Sequence, residues 1–188
     1  VSEAFSSSFS IQYLIGLAHS RLKQYDLAMN YYQKSHLIEP NSISLLHSMA
    51  ILYDTIKEWE KSDNIYINLI DTDSLDAQAL NNYAYSLVER NQNLNKALIM
   101  AKKAIMLDPK NASYLDTIGW IYFKLNQIEK AKEYLESSLE IAKDNSVVLE
   151  HLGDVLMKDN KQKEAINYYR RALALDKDNP ILIKKVSL

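Results

Sequence analysis

Five small residues, Gly16, Ala50, Ala84, Gly119 and Gly153, recur along this chain at intervals of 34, 34, 35 and 34 residues. A second set, Ala28, Ser62, Ala97, Ala131 and Ala165, follows at 34, 35, 34 and 34. Self-similarity at such a period constrains the fold more than composition does, because it means that one supersecondary unit is stacked several times. The unit is clearest where Leu115, Ile118, Gly119 and Tyr122 take the i, i+3, i+4, i+7 spacing of one side of an α-helix. Asn126 breaks that helix, and Ile128, Ala131, Leu135 and Leu139 open a second one. The small residues then fall where the two helices of a hairpin cross closely.

Other positions keep the same beat. Ser42, Asp76, Asn111, Asn145 and Asn179 precede the first helix of successive units, and their side chains suit the unpaired N–H groups of a helix start. The one extra residue falls in the turn Arg90-Asn-Gln-Asn93, where an insertion is tolerated. The pattern predicts helices near 10–22 and 26–38, 43–56 and 60–71, 77–90 and 95–107, 112–124 and 129–141, and 146–158 and 163–175. Pro180 suits the first position of one more helix, with Ile181, Leu182, Ile183 and Val186 covering the last hairpin. Three Gly and three Pro in 188 residues are too few to punctuate an all-β chain, so the fold class expected is all-α.

These residues resemble the tetratricopeptide repeat (TPR) family. Gly16, Tyr25, Ala28, Tyr32 and Pro40 carry the likeness in the first repeat, Trp59 and Tyr66 in the second, and Leu115, Gly119, Tyr122, Ala131 and Leu135 in the fourth. Departures are Ser74, Lys143 and Lys177 where the family ends a helix with proline, and Ser62 for the small alanine. The likeness divides the chain into an N-terminal remnant or tail at 1–8, repeats at 9–42, 43–76, 77–111, 112–145 and 146–179, and a short capping or truncated helix at 180–188. It implies a right-handed α-solenoid of five helical hairpins, with a concave groove lined mainly by first helices. Repeats three and four are similar to those of bacterial TPR proteins, including envelope lipoproteins, although no lipidation cysteine is present.

Composition and motifs narrow the function. Four His, at 19, 36, 47 and 151, lack paired-ligand spacing, there is no glycine-rich phosphate loop, and no Cys is available as a nucleophile. The reading is therefore non-enzymatic, with no cofactor and no metal. Twenty-two Lys+Arg against 24 Asp+Glu give no field to draw in nucleic acid. No apolar run approaches the roughly 20 residues needed to span a bilayer, and any targeting segment is expected to have been removed or cut off. The chain reads as soluble, from a bacterial cytoplasm or periplasm.

Beside the core stripe of each first helix lies a second stripe, rotated by about 100°. It carries Tyr13, His47, Asn81, Asp116 and Glu150 at the fifth position of each repeat, and Leu17, Ile51, Tyr85, Trp120 and Asp154 at the ninth. Val88, Phe123 and Met157 follow at the twelfth. A stripe facing only water would be polar, so its apolar members mark a partner surface. Tyr85, Val88, Trp120, Phe123 and Met157 are the expected anchors, with Asp116, Glu150 and Asp154 selecting Lys or Arg on a bound peptide or helix. The lysine and asparagine with which chaperone-binding TPR domains grip acidic C-termini stand at neither position, so the resemblance does not extend to that clamp. Two other readings belong to different classes: a homo-oligomer built by end-to-end or swapped stacking of repeats, and the regulatory region of a larger enzyme.

Overall fold

In the computed structural model, which describes residues 8–187, the chain is eleven α-helices with no strand among the described residues. They are α1 (Phe9–Arg21), α2 (Tyr25–Ile38), α3 (Ile43–Thr55), α4 (Trp59–Thr72), α5 (Ala77–Glu89), α6 (Leu94–Leu107), α7 (Ala112–Lys124), α8 (Ile128–Ile141), α9 (Ser146–Lys158), α10 (Gln162–Leu175) and α11 (Pro180–Val186). The expected fold class holds: five successive helical hairpins and a short C-terminal helix. The tail expected at 1–8 lies, but for Ser8, outside the described residues.

Hairpin geometry follows from the small residues. A Cβ added at Gly16 would stand 2.5 Å from the Tyr32 ring, and one at Gly153 would stand 2.3 Å from the Tyr169 ring. In both hairpins the first helix gives up its side chain so that a tyrosine of the second can lie against its backbone. Where the second helix supplies the small residue, Ala28, Ala97, Ala131 and Ala165 are wholly buried.

The turns have a ladder of their own. Lys23, Lys57, Asn91, Asn126 and Asn160 all take the left-handed conformation, with φ between 53° and 63°. The next residue's amide reaches back five places, as from Gln24 to His19 O at 2.9 Å and from Glu58 to Tyr53 O at 2.8 Å. This is the Schellman closure, which satisfies carbonyls that a helix end leaves open. The inserted residue is absorbed by a second left-handed position, Asn93 with φ 46°.

Four of the five expected helix-start residues cap through their side chains. Asn111, Asn145 and Asn179 each accept two backbone N–H groups, and Asp76 Oδ1 accepts from Ala79 N at 2.9 Å. Ser42 departs from the expectation, because its hydroxyl makes no capping hydrogen bond to α3.

The chain divides into two compact units within α5, one ending at Asn82 and the other beginning at Tyr83. In the first, α1 packs on α2 and α3 on α4, and the hairpins are joined through α2 with α3 and α1 with α3. Ala28, Met29, Tyr32, Leu45, Met49 and Leu52 form its core. In the second unit α6 through α11 each pack on the next helix, and α7 also meets α9. Burying one apolar face per hairpin this way is the physical reason the unit must repeat.

Candidate protein-binding site

In the first unit the second stripe borders a cavity of about 620 Å³. Tyr13, His47 and Ile51, three of the expected groove residues, line it together with Ile43, Asp73 and Asp76. Ile43 and Ile51, two turns apart on α3, are 55% and 45% exposed where they line it. Tyr13 is held in place: its hydroxyl donates to Ser44 O at 3.0 Å and lies 2.9 Å from the Ser48 hydroxyl, and its ring stacks on Phe9. His47 is buried, with Nε2 2.9 Å from Asp76 Oδ2, while Nδ1 is buried without a hydrogen bond. Leu17 is half-buried against the unit's core, and Asn81 is buried; neither lines the cavity.

The second unit treats the same stripe differently. Val88 has no exposed surface and Trp120 only 7%, so neither presents the anchor expected of it. The Trp120 indole stacks on Phe123 at 4.8 Å between centroids and on His151 at 4.0 Å, and its Nε1–H donates to Glu89 Oε1 at 2.6 Å. Side chains of α5, α7 and α9 thus close around it. Tyr85, Phe123 and Met157 remain half-buried at the surface of this unit. Burial pushes the Tyr85 hydroxyl's pKa up, and the Glu89, Asp116 and Glu150 carboxylates add to the effect.

The acids expected to select a cation are already engaged within the chain. Asp116 is buried, with Oδ1 2.8 Å from His151 Nδ1. Lys185 of α11 donates to Glu150 Oε1 at 2.7 Å and to both oxygens of Asp154 at 2.6 and 2.8 Å. Asp154 also accepts from the Tyr169 hydroxyl at 2.8 Å. Burial works against the Lys185 ammonium, and its hydrogen bonds to Asp154 and Glu150 outweigh it, leaving its pKa above the ordinary lysine value.

Sequence reasoning missed Asp76 and Lys185 as members of these sites. A signal for Lys185 exists, because Tyr13 with Ser48, Asp116 with His151 and Glu150 with Lys185 all join residues 35 apart; Asp76, 29 residues from His47, lies off that spacing. In a stack of period near 34, the fifth residue of one first helix meets the sixth of the next. Among the described residues, no group of three or more His, Asp or Glu is arranged to hold a metal ion, and no helix is long and apolar enough to cross a membrane.

Comparison with known proteins places this geometry among relatives. Residues 9–42 match the tetratricopeptide repeat, and residues 90–172 match the family described as anaphase-promoting complex, cyclosome, subunit 3. A TPR repeat-containing protein of Pseudomonas aeruginosa is 27% identical over 101 residues, which cover 54% of this chain and 17% of that protein. The type IV pilus assembly protein PilF of the same organism is 26% identical over 114 residues, covering 60% of this chain and 45% of that protein. The chain therefore spans less than half the length of either. The solved structure of a thermophilic TPR protein from Thermus thermophilus superposes with a TM-score of 0.84 at 17% identity, covering 96% of this chain and 98% of that one.

Proposed function

The chain belongs to the tetratricopeptide repeat family, and from that premise we propose that it is a non-enzymatic adaptor holding an extended segment of a partner protein against the first helices of its first unit. The observation that carries the reading is the cavity beside α3, where the exposed Ile43 and Ile51 stand next to the His47–Asp76 pair and the Asp73 carboxylate. Two exposed apolar side chains supply anchors, and each such anchor is worth about 1–4 kcal/mol on truncation. Asn41, Asn68 and Gln78 on the rim offer amides to an extended backbone. The carboxylates favour a segment that carries Lys or Arg beside its apolar residues. On the second unit Tyr85, Phe123 and Met157 are the apolar members of the stripe that stay half-buried, and they extend the proposed surface there.

Panning a random peptide library on the full chain tests the proposal. Selected peptides should combine an aliphatic or aromatic residue with Lys or Arg. They should bind the Ile43→Asp/Ile51→Asp variant at least about tenfold more weakly, a loss of roughly 1.4 kcal/mol. Peptides that bind this variant as tightly as the wild type place the seat elsewhere.

A further inference from the structure

The second helices of the second unit alternate in charge on their outer faces, in a way the hairpin core does not explain. On α6, Ile99 and Met106 stand seven residues apart, 70% and 81% open to water, with Lys102 and Lys103 between them. That spacing puts all four on one face, and α6 has no acidic residue along its length. One repeat on, α8 carries Glu129, Glu133, Glu136 and Glu140, all exposed, at i, i+4, i+7 and i+11 of a single stripe. One repeat further, the exposed Arg170 and Arg171 make the outer face of α10 basic again. Among the described residues, Glu136 pairs with Lys132 at 3.7 Å, while the other three glutamates of the stripe and the two lysines of α6 make no ion pair.

The charge pattern selects what can cover the α6 face. An anionic bilayer would meet the α8 glutamates beside the α6 lysines, and a second α6 would set lysine against lysine. An acidic helix suits the face, and the chain itself carries one. We propose that a second copy of this chain docks there, its α8 stripe against the α6 face, in a side-by-side dimer built from the outer faces of both helices. α6 and α8 are second helices of consecutive hairpins and run the same way. A two-fold axis lying between them and along them sets each α6 on the other copy's α8, so one symmetry operation forms two identical contacts. Ile99 and Met106 lie against the aliphatic stems of the glutamates. The Lys–Glu pairs, each weak by itself at a surface, fix the register, because the unshifted arrangement would bring each stripe against its own kind. The contact uses neither the cavity of the first unit nor either end of the chain, so it stands or fails separately from the adaptor function.

Sedimentation velocity on the full chain, from about 1 µM to about 0.1 mM, tests the proposal. The wild type should pass from monomer toward dimer over that range, and salt at about 1 M, where the screening length falls to about 3 Å, should shift it back. Lys102→Glu/Lys103→Glu and Glu133→Lys/Glu136→Lys should each weaken dimerisation at least about tenfold, since either change opposes like charges in both halves of the two-fold contact. Mixed one to one, the two variants should pair with each other about as tightly as the wild type pairs with itself, because one α6–α8 contact then carries reversed charges and the other is native. Circular dichroism shows that each variant is folded, as expected for substitutions at exposed and half-buried positions. A wild type that stays monomeric throughout overturns the proposal. So does a dimer that either charge variant leaves intact, which would put the contact on another face, and so does a mixture of folded variants that fails to pair.

Discussion

At the scale of single residues, what decides a side chain's role is the set of atoms that close over it. Trp120 stands on the same helical stripe as Ile51, one repeat-frame position in common, yet Ile51 is open to water and Trp120 lies between Phe123 and His151 with its N–H on Glu89. An indole in that setting contributes dispersion, stacking and a charge-assisted hydrogen bond. Trp120→Ala should therefore destabilise the chain by about 3–5 kcal/mol, within the range for buried tryptophan and phenylalanine. Chemical denaturation checks it. A loss below about 1 kcal/mol, the range of ordinary surface changes, would return the indole to the surface. The buried His151–Asp116 pair belongs to the same cluster, and removing either partner would strand the other away from water.

At the scale of elements, the hairpins are set by how first helices stop. Every first helix ends in a left-handed residue, and three of the five use asparagine, which tolerates that conformation. Lys23 and Lys57 do not have that tolerance. Lys57→Gly should accordingly stabilise the chain by about 0.5–1 kcal/mol, since the native backbone already needs φ 63° there and a lysine Cβ opposes it. The rise in denaturation midpoint should come without a change in slope. Unchanged or lowered stability would mean that the entropy glycine adds to the unfolded chain outweighs the relief. The same logic explains why an inserted residue in the third turn is harmless: a second left-handed residue, Asn93, returns the chain to the start of α6.

At the scale of the molecule, stability is local, because each hairpin leans on its neighbours and on little else. Tyr169 illustrates this within the second unit. It fills the notch left by Gly153, is buried, and donates to Asp154, which holds Lys185 of α11. Tyr169→Ala should cost about 3–5 kcal/mol by analogy with other buried aromatics. Hydrogen exchange should show lost protection concentrated in α9, α10 and α11, with α6 and α7 less affected. Uniform loss from α6 to α11 would mean that the unit opens as a single cooperative block.

The sequence by itself determined the repeat, its period, the helix starts at Asp76, Asn111, Asn145 and Asn179, and the glycine and alanine crossings. All of these depend on contacts within one hairpin or on a backbone conformation that one residue type favours. It did not determine which members of the second stripe stay open. Ile51, Val88 and Trp120 occupy similar places in their own helices, and helical periodicity assigns them one face alike. The exposure of Trp120, Glu150 and Asp154 was decided by what the next repeat brings against them: His151 over Trp120, and Lys185 over Glu150 and Asp154. Those partners lie a full repeat away, where spacing along a single helix carries no information and only the packed stack brings the groups together.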